Sequence, residues 1–109
     1  MLLATYASVE DIEHMRDEQL KALDSTINVT RARNDKIQED LDKRIKAAAA
    51  QERSGKKPSK QVLSDIQSLR GQMNRNQKYI EDRRQEKKDI QQQYDDKIAR
   101  FKELKAQGR

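Results

Sequence analysis

The sequence of 109 residues contains no cysteine and no tryptophan, one proline, three glycines and only four aromatic residues. Without cysteine there can be no disulfide, no thiolate nucleophile and no Cys-ligated metal, and the redox compartment leaves no trace. No apolar run approaches the ~18 residues of a membrane span. The opening Met1-Leu2-Leu3-Ala4 is too short for a signal-peptide core, so no export signal is visible. Walker-type glycine loops, GxGxxG and Ser/His/Asp constellations are missing too. At 33% apolar and 39% charged residues, the chain cannot fill a multilayered globular core.

The apolar residues that are present fall at helical spacing. Val62, Ile66, Leu69, Met73, Asn76, Ile80, Arg83, Lys87, Ile90, Tyr94, Lys97, Phe101 and Leu104 follow one another at alternating steps of four and three. Leu20, Leu23, Ile27, Thr30, Asn34, Ile37, Leu41, Arg44 and Ala48 do the same. Such spacing keeps one seam of a helix facing a partner, and predicts an all-α fold: two long helices in an antiparallel coiled-coil hairpin. High charge alone would suggest disorder, but a single apolar stripe predicts order.

The predicted boundaries follow from local chemistry. Ser8 and Asp11 resemble a capping box, which starts helix 1 near residue 8. Ala47 to Ala50 carry it on to about residue 53. Ser54-Gly55 offers a left-handed stop, and Lys57-Pro58-Ser59 can begin a helix but not continue one. The turn is therefore placed at about 54–58 and helix 2 at about 59–106, within one domain spanning 1–109. At 1.5 Å per residue each helix would be roughly 65 to 70 Å long.

Centring the turn near Gly55 pairs positions whose numbers sum to about 110, which sets Leu41 against Leu69, Ile37 against Met73 and Ile12 against Ile98. The two polar seam residues, Asn34 and Asn76, then fall opposite each other. A buried Asn pair satisfies its amides in one alignment only, so these are the candidate register-setting residues. Near the open end Val9, Ile12 and Met15 leave the Leu20 phase, which predicts a wider base. Intrahelical pairs such as Asp17-Lys21 and Asp40-Arg44 are expected to add a little stability. So thin a core leaves little margin. Dimerisation into a four-helix assembly, or docking of the Leu2-Leu3-Tyr6 end on another domain, would supply further burial.

Sites are sparse. His14, the only histidine, lies near Glu10, Asp17 and Glu18 and reads as a solvated surface residue, since a metal needs three or four convergent ligands. Asp95 and Asp96 are adjacent, so on a helix they diverge, and nothing walls them from water. No catalytic, cofactor-binding or metal residue is assigned, and no enzyme activity is expected. Charge is uneven: eight basic against ten acidic residues over 1–50, four against one over 51–60, and twelve against eight over 61–109. The tip cations Arg53, Lys56, Lys57 and Lys60 are the candidate contact for phosphate or an acidic surface. They lack an aromatic stacking partner, and their plain reading is a solvated turn that favours the negative end of helix 1. A second basic stretch, Arg75, Lys78, Arg83, Arg84, Lys87 and Lys88, is broken by Glu81, Asp82 and Glu86.

The opening LLATYASVEDIEHMRDEQL, Leu2 to Leu20, resembles a segment of uncharacterised proteobacterial proteins, often periplasmic, in which an LLxTYxSxED-like start precedes a long charged coiled coil. The resemblance covers about a fifth of the chain. It implies a bacterial, envelope-located origin, no known activity, and a small preceding domain that would cover an apolar lead with no partner in the seam. In length and hairpin form alone, the chain is also similar to the tRNA-gripping helical arm of seryl-tRNA synthetases. Two functions are thus expected to compete: a structural or protein–protein interaction module whose partner is another protein or a second copy, and a basic arm that binds RNA or another polyanion.

Overall fold

The computed structural model describes residues 2–108. It contains three helices, α1 (Leu2–Thr5), α2 (Val9–Arg53) and α3 (Lys60–Gln107), and the two long ones form an all-α helical hairpin. Among the described residues there is no strand.

The helix ends are built as the sequence predicts, with one addition. Ser8 Oγ accepts the Asp11 amide at 3.2 Å, and Asp11 Oδ2 reaches back to the Ala7 amide at 3.1 Å, so two otherwise unpaired donors are satisfied. At the far end of α2 the Lys56 amide bonds the Gln51 carbonyl at 2.9 Å and the Gly55 amide bonds the Glu52 carbonyl at 3.0 Å. This is a Schellman stop, and it requires the left-handed φ of +83° that Gly55 adopts. Ser59 caps α3 through the Val62 amide at 3.1 Å. Ser59 is thus the cap residue, and α3 begins one position later, at Lys60.

The chain divides into two compact units, each described on its own. The tip unit is Asn28–Glu81. Its core is Leu41, Ala48 and Ile66, with Val62, Leu69 and Met73 packed against them. Thr30 and Ile80 are buried as well. Within this unit Asn76 Nδ2 donates to Asn34 Oδ1 at 2.8 Å, and Asn34 Nδ2 donates to the Met73 carbonyl at 3.3 Å. Both asparagines are half-buried. Arg44 departs from the expected pattern. It lies in the seam sequence but is exposed, and it pairs with Asp65 at 2.7 Å across the hairpin instead of with Asp40 on its own helix. A guanidinium beside water gains more from a short cross-helix carboxylate than from filling a seam position it would have to desolvate.

The base unit is Met1–Ile27 with Asp82–Arg109. Its core is Ile12, Tyr94 and Phe101, and Leu2, Tyr6, Val9, Ile90 and Ile98 pack on it. The apolar lead therefore packs within its own chain, which corrects the expectation of a lead with no partner there. α1 is a single turn whose Leu2 and Tyr6 lie over Ile12, Tyr94 and Phe101, and the Tyr6 amide bonds the Leu2 carbonyl at 2.9 Å. Leu3 faces outward at 41% exposure. Val9 and Ile12, which leave the heptad phase, pack in the same cluster as the α1 side of the lead. Met15, at 42% exposure, lies outside the core.

Cross-helix hydrogen bonds report the register within each unit. In the tip, the partners in Asn34–Asn76 and Arg44–Asp65 have numbers that sum to 110 and 109. In the base, Asp24–Lys87 and Gln19–Tyr94 give 111 and 113. The drift in the base accompanies the change of phase there, where the exposed Gln19 reaches Tyr94.

Candidate functional site

Two places can be judged as sites: the basic tip and the groove beside it. Arg53 ends α2, Lys56 and Lys57 lie in the turn, and Lys60 opens α3. All four side chains are exposed, and among the described residues none takes part in an ion pair. The Schellman stop and the Ser59 cap hold the turn by backbone bonds, so these cations are not needed to close it.

The second basic stretch is dispersed. Lys87 pairs with Asp24 on the facing helix, and Arg83 pairs with Glu86 at 3.2 Å along its own helix. Both basic side chains are half-buried, their stems packed and their heads neutralised by carboxylates. Arg83 and Lys87 are therefore not free cations, while Arg75, Lys78, Arg84 and Lys88 are exposed.

The acidic candidates are occupied within the fold. Asp95 Oδ1 accepts Gln91 Nε2 and Asp96 Oδ1 accepts Gln92 Nε2, each at 3.0 Å. The same Gln-to-Asp step of four recurs at Gln38–Asp42, Gln61–Asp65 and Gln85–Asp89. These bonds support the helix surface and hold each carboxylate along its own helix. His14 Nε2 lies 3.2 Å from Glu18 Oε1, with both side chains well exposed. Among the described residues no group of three or more His, Asp or Glu is placed to hold a metal ion.

No protein-family model matches this chain, and neither a curated protein nor a solved structure matches it. Its surface must therefore be read from its own chemistry.

In the tip unit a shallow groove is floored by Ile66 and Ala48 and flanked by Ile45, Leu63, Glu52 and Arg70. Ile45 and Leu63 are 38% and 52% exposed. These two apolar side chains share a rim where a solvated helix pair would carry polar ones. On a different part of the same unit, Val29, Ile37 and Ala32 lie with Arg33 and Lys36 above Gln72 and Asn76.

In the base unit an exposed side chain bonds a buried core phenol. Tyr94 is 3% exposed, and its hydroxyl accepts Gln19 Nε2 at 2.5 Å. The Lys97 ammonium sits 4.5 Å from the centre of the Tyr94 ring, a cation on that aromatic. Arg16 bonds Asp17 at 3.0 Å. Burial, with Tyr6 beside it as the next cause, pushes the Tyr94 phenol above its ordinary range. The fold thus favours the neutral phenol. That contribution is present below the ordinary tyrosine pKa and is lost as pH rises through the raised one. Unfolding midpoints measured from neutral to strongly alkaline pH should fall at the alkaline end, and Tyr94→Phe should flatten that fall. An equally steep fall in the variant would show that other groups cause it.

Proposed function

We propose that this chain is a non-catalytic structural or protein–protein interaction module of the coiled-coil kind. The observation that carries this reading is the exposed Ile45 and Leu63 pair on the rim of the tip groove. Apolar area left on a helix pair so poor in apolar residues is costly in solubility unless another surface covers it. Elsewhere the exposed residues are mostly charged ones of both signs, with Val29 as a further exposed apolar side chain on the same unit. The resemblance of Leu2 to Leu20 to proteobacterial, often periplasmic, proteins supports placing this work in a bacterial envelope.

The second reading is a basic arm for RNA or another polyanion, and the exposed, unpaired Arg53, Lys56, Lys57 and Lys60 favour it. Four cations on one turn release few counterions, and the carboxylate-paired Arg83 and Lys87 add little. A titration with single-stranded and double-stranded RNA at two salt concentrations separates the two. The interaction module predicts weak binding with a shallow salt dependence. It also predicts that Arg53→Gln, Lys56→Gln and Lys57→Gln together leave helicity and melting unchanged, since exposed charges contribute little to stability. Micromolar or tighter binding that collapses with salt, and that these substitutions abolish, would replace the module with the arm.

A further inference from the structure

Two stripes of identical spacing flank the tip groove. On α2, Asp42, Ile45, Ala49 and Glu52 stand at steps of three, four and three; on α3, Lys60, Leu63, Gln67 and Arg70 do the same. Steps of this kind put four side chains on one helical face. The α2 stripe is acidic at both ends and apolar in the middle. The α3 stripe is basic at both ends with Leu63 between. Glu52, Lys60 and Arg70 are exposed, and among the described residues none takes part in an ion pair within its own chain.

We infer that this face binds a second copy of the same chain, with α2 of each tip packed on α3 of the other about a two-fold axis running along the helices. The inference rests on the interaction-module reading and names its partner. The charges select the arrangement. If α2 met α2, Asp42 and Glu52 would face carboxylates while Lys60 and Arg70 faced cations. If α2 meets α3, the hairpin register sets Glu52 within one helical turn of Lys60 of the second copy and Asp42 within one turn of Arg70 of the second copy. Ile45 and Leu63 then cover Leu63 and Ile45 of the second copy, and the small side chain of Ala49 lets the helices approach. Every helix gains an antiparallel neighbour, the up-down order of a four-helix assembly. The contact is isologous, so it closes at two copies and does not propagate. The apolar centre supplies affinity, and the four rim charges choose the partner and its alignment.

Sedimentation of the full chain over a wide concentration range tests this, with far-UV circular dichroism confirming that each variant is helical. Wild type should shift from monomer to dimer, and Leu63→Gln should raise the dissociation constant about tenfold or more. Two charge-reversed chains give the sharper test. Asp42→Lys with Glu52→Lys makes both stripes basic, and Lys60→Glu with Arg70→Glu makes both acidic. Each chain alone should remain monomeric, and an equal mixture should form a one-to-one dimer. A wild type that stays monomeric at every concentration, or an association indifferent to these reversals, would overturn the inference. A monomer that also ignores RNA would leave the module reading standing with another protein as partner. Salt-sensitive RNA binding would remove the reading itself.

Discussion

Phe101→Ala is expected to lower the unfolding free energy by about 3–5 kcal/mol, the usual cost of emptying a buried aromatic site. Phe101 is 2% exposed and packs with Ile12 and Tyr94, and so few side chains build the base core that none can shift to fill the space. The loss should also be local. Cooperative opening follows contiguous packing units, so amides in 9–27 and 82–107 should exchange faster while those in 28–81 change less. Leu41→Ala, in the tip core, should give the reverse pattern at a cost of about 2–5 kcal/mol. Hydrogen exchange of both variants checks this, and equal acceleration throughout the chain in either one would mean that the two units open together.

Replacing Asn34 and Asn76 together with leucine should act in the opposite direction. The pair is half-buried, so two leucines there would gain about 1–2 kcal/mol of apolar burial in total, the smaller part of full burial for two side chains. A change of that size raises the melting temperature by about 5–10 °C in a chain of this length. The amide pair that distinguishes one alignment from its neighbours would be gone, so the oligomeric state should become less uniform. Asn34→Leu alone should show a smaller rise, because it leaves Asn76 Nδ2 to find water. A melt that falls with association unchanged would argue against an Asn layer that specifies the register.

The seam was legible because a thin core has only one way to be periodic. All thirteen seam positions from Val62 to Leu104 are buried or half-buried. Arg44 is the exception on α2, since the spacing rule treats it as a stem to bury and does not see Asp65 across the hairpin. The lead was misread for a physical reason too. One turn of helix over Leu2–Thr5 has no periodicity to detect, and its stability comes from Tyr6 and Leu2 on a core that joins the nearby Ile12 to the distant Tyr94 and Phe101. The loss of phase at Val9 and Ile12 was the available signal that the base holds something extra. Gln19 was missed because it is polar and off the heptad, and its role as donor to Tyr94 appears only once the register is known. The exposure of the tip cations is legible from composition alone. The matched stripes of Asp42 to Glu52 and Lys60 to Arg70 lie on the flanks of the seam, where a reading for apolar periodicity records only solvated charge.

The register of α2 on α3 in the tip decides which side chains share a face, and with it the stripe that would take a partner. Nuclear Overhauser contacts from the Asn34 and Asn76 side-chain amides measure it directly. The structure predicts contact between the Asn76 amide protons and Asn34, together with contact between the Asn34 amide protons and Met73. Contacts from Asn34 to Ile80 without Asn76 would place α2 one step along and contradict it.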